Sequence, residues 1–210
     1  MDRREILKMI ALATGGAFIG GEVFLTGCAS DKKAALAFTK EDIAYLDEIA
    51  ETILPKTKTP GAKDAAVGQF MTVMVNDCYT PNDQEIFHDG MNKLNDASQD
   101  KYQANFMSIT PAQRHELLVA IDAEAKEVQK KKSDFDKVEN EKQRSADFNR
   151  NMNFKKEEMP AHYFTMMKQL TMLGFFTSKV GANEALRFVA VPGRYDACIP
   201  YKKGDKAWAT

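Results

Sequence analysis

The chain has 210 residues, with 29 lysines and arginines against 30 aspartates and glutamates, and a formal net charge of -1. This length is ordinary for a single domain and is sufficient to bury a hydrophobic core. The balanced charge excludes the basic field that nucleic-acid binding requires, so we exclude nucleic acid as a partner.

The first 28 residues carry two export signals in order. Arg3 and Arg4 precede residues 5–8 (EILK), which matches the twin-arginine consensus that an export receptor reads. The uncharged run at residues 9–21 is shorter than the roughly 20 apolar residues of a spanning helix. Residues 25–28 (LTGC) then look like a bacterial lipobox, in which the cysteine receives the lipid.

These signals predict a cleaved signal peptide at residues 1–27, a lipidated Cys28 and a solvated tether at 28–37. Acyl chains on Cys28 anchor a protein to a bilayer without crossing it. We therefore expect export by the twin-arginine route and a lipid-anchored domain, residues 38–210, on the periplasmic side of a bacterial membrane.

Three threonine-led motifs mark helix starts. Thr39, Thr80 and Thr110 are each followed three residues later by an acidic or amide side chain, which is typical of an N-cap. Proline directly follows the second and third threonine, at a position where its missing N–H costs nothing. With the apolar spacing between them, the motifs predict helices at residues 40–54, 62–78 and 81–97 and a fourth from Pro111.

The fourth helix runs into a strongly charged stretch at residues 126–156. No sustained heptad appears there, which favours a solvated helical arm over a coiled-coil seam. The composition of residues 162–179 predicts the most apolar helix of the chain. The prolines and glycines within residues 188–210 predict an extended tail. Without βαβ or period-2 patterns, the fold class is all-α: an irregular helical bundle with a charged arm and a C-terminal tail.

The motifs of a reaction centre are missing from the sequence. There is no dinucleotide or phosphate loop, no haem attachment motif and no nucleophile elbow. None of His88, His115 and His162 has a second histidine or cysteine three or four residues later, and Met166, Met167 and Met172 lie among aromatic residues, which favours packing over copper binding. Adjacent acids such as Asp47 and Glu48 point about 100° apart on a helix, and we interpret them as solvated. We therefore predict no catalytic, cofactor or metal site.

Two cysteines remain besides the lipidation site. Cys78 and Cys198 lie beside predicted helices, in a compartment where disulfides form. The spacing leaves both alternatives open, a single disulfide and two buried thiols.

Several unusual strings resemble the gluconate 2-dehydrogenase subunit 3 family. They occur in family order and span residue 38 to the C-terminus, thinning over the charged arm: FTKEDI at 38–43, ILPKTKTPGAK at 53–63, VNDCYTP at 75–81, LTMLGFFTS at 170–178 and PGRYDACIPY at 192–201. The lipobox and the long arm depart from the family pattern. The family name does not establish gluconate as the substrate.

The resemblance implies a small subunit of a membrane-associated dehydrogenase for sugars or sugar acids. Catalysis would belong to a large FAD-containing subunit of the glucose-methanol-choline type, and some complexes of the family add a cytochrome c subunit. The small subunit would serve in export, stabilisation and tethering of its partner, and it would hold no cofactor itself. The alternative is a free-standing periplasmic binding or scaffold lipoprotein.

A docking surface for such a partner needs aromatic anchors and arginines. The C-terminal third is richest in both. For the aromatic residues of the apolar helix, a monomer core and an interface are equally consistent with the pattern, whereas the tail composition favours wrapping onto a partner. The predicted partner-binding residues are Tyr163, Phe164, Phe175, Phe176, Arg187, Arg194, Tyr195, Tyr201 and Trp208.

Overall fold

The structure is a computed structural model that describes residues 38–191, 193 and 198–209. Arg3, Arg4 and Cys28, with the predicted signal peptide and tether, lie outside the described residues, as do Arg194 and Tyr195. The described chain contains five α-helices and no β-strand: α1 (Lys40–Ile53), α2 (Val67–Cys78), α3 (Pro81–Tyr102), α4 (Pro111–Phe148) and α5 (Tyr163–Thr177). The predicted all-α fold is confirmed.

The three threonine motifs cap the helices that they predict. The hydroxyls of Thr39, Thr80 and Thr110 each accept a hydrogen bond from the backbone N–H of the third helical residue. At α1 and α4 the side chains of Asp42 and Gln113 also accept from the backbone N–H of their capping threonine, which completes two capping boxes. These helix starts follow from local chemistry, because each cap satisfies backbone N–H groups that a helix leaves unpaired.

Helix α5 is the centre of the bundle and contacts all four other helices. The buried residues of α5 lie on one half of its circumference, which packs against these neighbours, whereas Gln169, Met172 and Leu173 on the opposite half are exposed. Met166 and Met167 are buried in this core, whereas Met172 is partly exposed. The buried residues of α5 are Tyr163, Phe164, Met166, Met167, Leu170, Thr171, Gly174 and Phe175.

A glycine sets the closest approach between α3 and α5. A Cβ placed on Gly90 would lie 2.3 Å from the Cβ of Tyr163, a distance that packed side chains cannot adopt. The glycine therefore lets the two helix backbones meet, and Tyr163 fills the space over it. Burial raises the pKa of the Tyr163 phenol to about 12, so this ring stays neutral.

The imidazole of His162 caps the N-terminus of α5. Its Nδ1 accepts a hydrogen bond from the N–H of Phe164 at 3.2 Å, which requires an unprotonated nitrogen. Burial lowers the pKa of His162 below its ordinary value of 6.5. Glu124, across from Nε2 on α4, opposes this shift, and Lys93 on α3 adds to it.

We expect this cap to make folding sensitive to acid. With its pKa lowered in the folded state, His162 binds a proton more readily in the unfolded chain, so the free energy of unfolding falls as pH drops below about 6.5. Above that pH both states are neutral, and the histidine adds no pH dependence. His162→Asn keeps a capping side chain that does not titrate. Urea unfolding at neutral and mildly acidic pH should show a smaller loss of stability for the variant, and equal losses would contradict this role.

The second helix begins later than the sequence predicts. The expected helix from about Ala62 is a short 3₁₀ turn at Lys63–Ala65, and Ala66 adopts a left-handed conformation with φ of 51° before α2 starts. The break lets Gly68 approach α1, where its N–H donates to the Asp47 carboxylate at 2.7 Å. Long-range pairing with α1 outweighs the local helical pattern at this boundary.

Carboxylates of α1 hold the loop between α1 and α2. Glu51 accepts from the backbone N–H of Lys56 at 2.8 Å and of Lys63 at 2.9 Å, so one side chain ties down both ends of the loop. Asp47 and Glu48 are half-buried and paired. The interpretation of Asp47 and Glu48 as solvated charges is therefore wrong, because the folded chain brings N–H donors and cations to them.

Arg114 connects α1 to α4. Its guanidinium pairs with Glu48 and donates to the carbonyls of Phe106 at 2.9 Å and Met107 at 2.8 Å. The guanidinium also lies 5.5 Å from the centre of the Phe106 ring. The side chain is largely buried, and it satisfies the backbone of the loop between α3 and α4 while it neutralises Glu48.

The charged arm is the second half of α4. This helix has 38 residues and is about 57 Å long at 1.5 Å per residue. Its first half contributes Leu117, Leu118, Ile121 and Ala125 to the core. The predicted helical arm is confirmed as far as Phe148, where the helix ends. Among the described residues, no helix is both long and apolar enough to cross a bilayer.

The chain returns from the end of α4 along one face of the arm. Glu139 is buried there and accepts from Lys142 Nζ at 2.6 Å and from the backbone N–H of Glu157 at 3.1 Å. These bonds lower the pKa of Glu139 and keep its carboxylate charged. Nearer the body, Lys132 Nζ donates to the carbonyl of Met159 at 2.5 Å. The arm is thus solvated on part of its surface and covered by residues 149–161 on the rest.

Candidate partner-docking surface

The chain beyond α5 closes on itself and forms a clasp. A single π-helical turn, Gly181–Ala185, leads to Arg187, whose N–H donates to the carbonyl of Ala207 at 2.8 Å. The N–H of Ala209 donates to the carbonyl of Arg187 at 3.0 Å. This isolated bridge pairs Arg187 with Trp208.

A cation–π contact reinforces the clasp. The guanidinium carbon of Arg187 lies 3.9 Å from the centre of the Trp208 ring. An exposed contact of this kind contributes about 0.5–1 kcal/mol. Lys206 Nζ also donates to the carbonyl of Glu184, next to the bridge. The clasp therefore orders an arginine and a tryptophan at the surface before any partner binds.

The clasp exposes large apolar side chains. Val191 is 81 % exposed and Tyr201 is 76 % exposed, which is far more than packing within the chain would leave. Apolar groups concentrated in one segment in this way are typical of a site for protein contact. We call the following exposed residues the tail surface: Arg187, Phe188, Val189, Val191, Ile199, Tyr201 and Trp208.

The predicted partner-binding residues separate into two groups. Tyr163, Phe164 and Phe175 lie in the core, which is the alternative that the sequence left open for this helix. Phe176 is half-buried and packs edge-on against Phe175, with ring centres 5.1 Å apart. The other described members, Arg187, Tyr201 and Trp208, are exposed on the tail surface.

Sequence reasoning missed the aliphatic part of the tail surface. Val189, Val191 and Ile199 are exposed but are neither aromatic nor basic, which are the residue types expected of a docking surface, and the aromatic Phe188 was missed as well. A usable signal was present, since residues 188–191 (FVAV) form an apolar run directly before a Pro-Gly pair. A run of that kind in a segment too irregular to form a core indicates an exposed contact surface.

The two cysteines are free in this structure. Cys78 is exposed at the last residue of α2, and Cys198 is exposed in the tail. In this structure the two thiols are unpaired, and they are exposed where the second alternative has them buried.

The remaining polar clusters are occupied by structural bonds. A cleft of about 650 Å³ lies between the arm and the turn after α2 and is lined in part by Lys132 and Asp136. These two side chains pair with each other at 3.3 Å, and Lys132 also binds a backbone carbonyl. The described residues contain no group of three or more His, Cys, Asp or Glu side chains placed to hold a metal ion.

The architecture defines a small all-α protein with a preformed apolar surface suited to binding another protein. The family model for gluconate 2-dehydrogenase subunit 3 matches residues 40–193, and the chain belongs to that family. The family is named for a subunit of a dehydrogenase complex, which implies a catalytic partner subunit. The match covers the five helices and the start of the tail. Neither a curated protein nor a solved structure matches the chain.

Proposed function

We propose that this chain is the non-catalytic small subunit of a membrane-associated, FAD-dependent dehydrogenase for a sugar or sugar acid. The large subunit, of the glucose-methanol-choline type, binds FAD and carries out the reaction. The small subunit escorts its partner through export, stabilises it and tethers it to the membrane through Cys28. A cytochrome c accepts the electrons in complexes that contain one.

The tail surface is the observation that supports this proposal most directly. A chain that works alone has no use for Val191, Ile199 and Tyr201 in water, whereas a subunit buries such residues against its partner. The clasp between Arg187 and Trp208 fixes the segment in advance, which lowers the entropy lost on binding. We infer that Arg194 and Tyr195, in the same segment, belong to the same contact.

The proposal is tested by recovering the chain from membranes with an antibody against the arm helix. We expect a larger polypeptide with flavin absorbance to be recovered at equal stoichiometry. Truncation of an aromatic anchor at an interface typically costs 2 kcal/mol or more, which is about a 30-fold loss of affinity, so Tyr201→Ala should release much of the partner. Flavin absorbance and densitometry of both polypeptides measure the outcome.

Two exposed valines supply a matched control. Val191 lies on the tail surface and Val119 lies on the outer side of α4, and both are well exposed. Val191→Asp should weaken partner recovery, whereas Val119→Asp should leave it unchanged. Partner retention by both variants would remove the tail surface from the interface. Recovery of the unaltered chain without any flavoprotein would contradict the subunit role and favour a free-standing lipoprotein.

A further inference from the structure

The end of the arm presents two large apolar side chains to solvent. Phe148, the last residue of α4, is 88 % exposed and Met152 is 94 % exposed. Two other apolar residues near this turn are less exposed: Ala146 is buried and Phe154 is half-buried. We call residues 144–156 the arm tip.

The arm tip is a defined turn. The N–H of Asn151 donates to the carbonyl of Ala146 at 2.9 Å, and Arg150 adopts a left-handed conformation with φ of 52°. These are features of a helix C-terminus that closes on itself. The turn therefore holds Phe148 and Met152 within one short, hydrogen-bonded segment.

The arm tip is also rich in basic side chains. The arm tip contains four basic side chains and one carboxylate, although the whole chain has a net charge of -1. Arg144, Arg150 and Lys155 are exposed and pair with no carboxylate among the described residues. The single acid, Asp147, accepts a hydrogen bond from Gln143 at 2.7 Å. Positive charge is thus concentrated in the same short segment as the exposed Phe and Met.

We propose that the arm tip is a membrane-contact site that binds the surface of an anionic lipid bilayer. Phe148 and Met152 enter the boundary between headgroups and acyl chains, while Arg144, Arg150 and Lys155 bind lipid phosphates. Shallow insertion of apolar side chains combined with basic groups is the usual chemistry of interfacial attachment. The exposed apolar area is small and lies in the same short segment as these basic side chains, and such a surface needs no complementary pocket in its partner.

The length of the arm suits this role. Residues 125 to 148 of α4 carry the tip about 35 Å along the helix axis from the last core position of that helix. The arm tip supplies a contact that depends on neither the Cys28 lipid nor the dehydrogenase partner.

The test places a fluorescent reporter at the tip of the full-length protein. Trp208 is the only tryptophan, so Phe148→Trp in a Trp208→Phe background reports on the tip alone. The protein is mixed with vesicles of phosphatidylglycerol that contain brominated acyl chains. We expect a blue-shifted emission and quenching by bromine, neither of which occurs with phosphatidylcholine vesicles. The matched control, Val119→Trp in the same background, reports on the body half of α4 and should stay unquenched.

Charge reversal separates electrostatic attraction from nonspecific adhesion. Each basic side chain near an anionic surface contributes roughly a fivefold factor to partitioning, so Arg150→Glu with Lys155→Glu should reduce tip binding by roughly 25-fold or more. Absence of quenching at residue 148 with anionic vesicles would overturn the proposal. Protection of the same reporter by the flavoprotein, and not by vesicles, would also overturn it and would assign the tip to the protein interface. Neither outcome depends on whether the tail surface binds a dehydrogenase.

Discussion

With lysine in place of both Arg3 and Arg4, we expect this chain and its dehydrogenase partner to remain in the cytoplasm. The substitution keeps both positive charges but removes the planar guanidinium groups, so a receptor that reads paired arginines loses its ligand. A partner that binds FAD before crossing must be exported folded, and the family resemblance implies that it travels with the small subunit. Fractionation of cells, with both polypeptides followed by immunoblot and flavin by fluorescence, measures the effect.

Export of this chain tests the twin-arginine interpretation, and export of the partner tests the escort role. Lys32→Arg with Lys33→Arg, in the segment after Cys28, is the control, and it should leave export unchanged. Normal export of this chain after loss of both arginines would contradict the twin-arginine interpretation. Retention of this chain combined with normal export of the partner would contradict the escort role while leaving the docking interaction intact.

Replacing Arg114 with alanine is expected to destabilise the fold by about 3 kcal/mol. The change leaves the half-buried Glu48 without its arginine partner and removes the donors to the carbonyls of Phe106 and Met107. Lys63 still pairs with Glu48, which keeps the loss at the lower end of the range for a broken buried ion pair. The free energy of unfolding, measured by urea titration and circular dichroism, gives the difference.

The same helix offers a matched control for this substitution. Arg144 is exposed and pairs with no carboxylate among the described residues. Arg144→Ala should therefore change the free energy of unfolding by about 0.5 kcal/mol or less. Equal effects at positions 114 and 144 would show that Arg114 does not hold α1, α4 and the intervening loop together. Arg114→Lys should recover only part of the loss, because an ammonium group cannot reach all three acceptors in one plane.

Local patterns in the sequence predict most of the fold. The capping threonines Thr39, Thr80 and Thr110 lie where the sequence places them, because a cap pairs with N–H groups only three residues away. Helix ends are harder to predict. Helix α3 continues to Tyr102, beyond the predicted end near residue 97, and stops where Gln103 adopts a left-handed conformation. No proline or glycine marks that boundary.

Polar residues with long-range partners were the main source of error. The adjacent acids Asp47 and Glu48 look like a solvated pair, since residues 47 and 48 diverge on the helix surface. In the fold Asp47 accepts a hydrogen bond from the N–H of Gly68, and Glu48 pairs with Arg114, which is 66 positions away in the sequence. Periodicity carries no information about such partners, because they come from other segments of the chain.

Among the predicted docking residues, the sequence could not separate those in the core from those at the surface. The aromatic residues of α5 and of the tail look alike in composition, yet Tyr163, Phe164 and Phe175 are buried and Tyr201 is exposed. The difference arises because α1 to α4 pack against one half of α5, whereas most described residues of the tail are exposed. Contacts between helices decide which aromatic side chains remain available to a partner.

The sequence by itself determined the all-α class, the three capped helix starts, the charged arm and the family, because caps, apolar spacing and short motifs act over a few residues. Only the tertiary structure decided that Arg187 stacks on Trp208, that the aliphatic residues of the tail are exposed and that the arm ends in a basic turn with Phe148 and Met152 outermost. Each of these features depends on which side of an element its neighbours cover, and that is fixed by packing between segments distant in the chain.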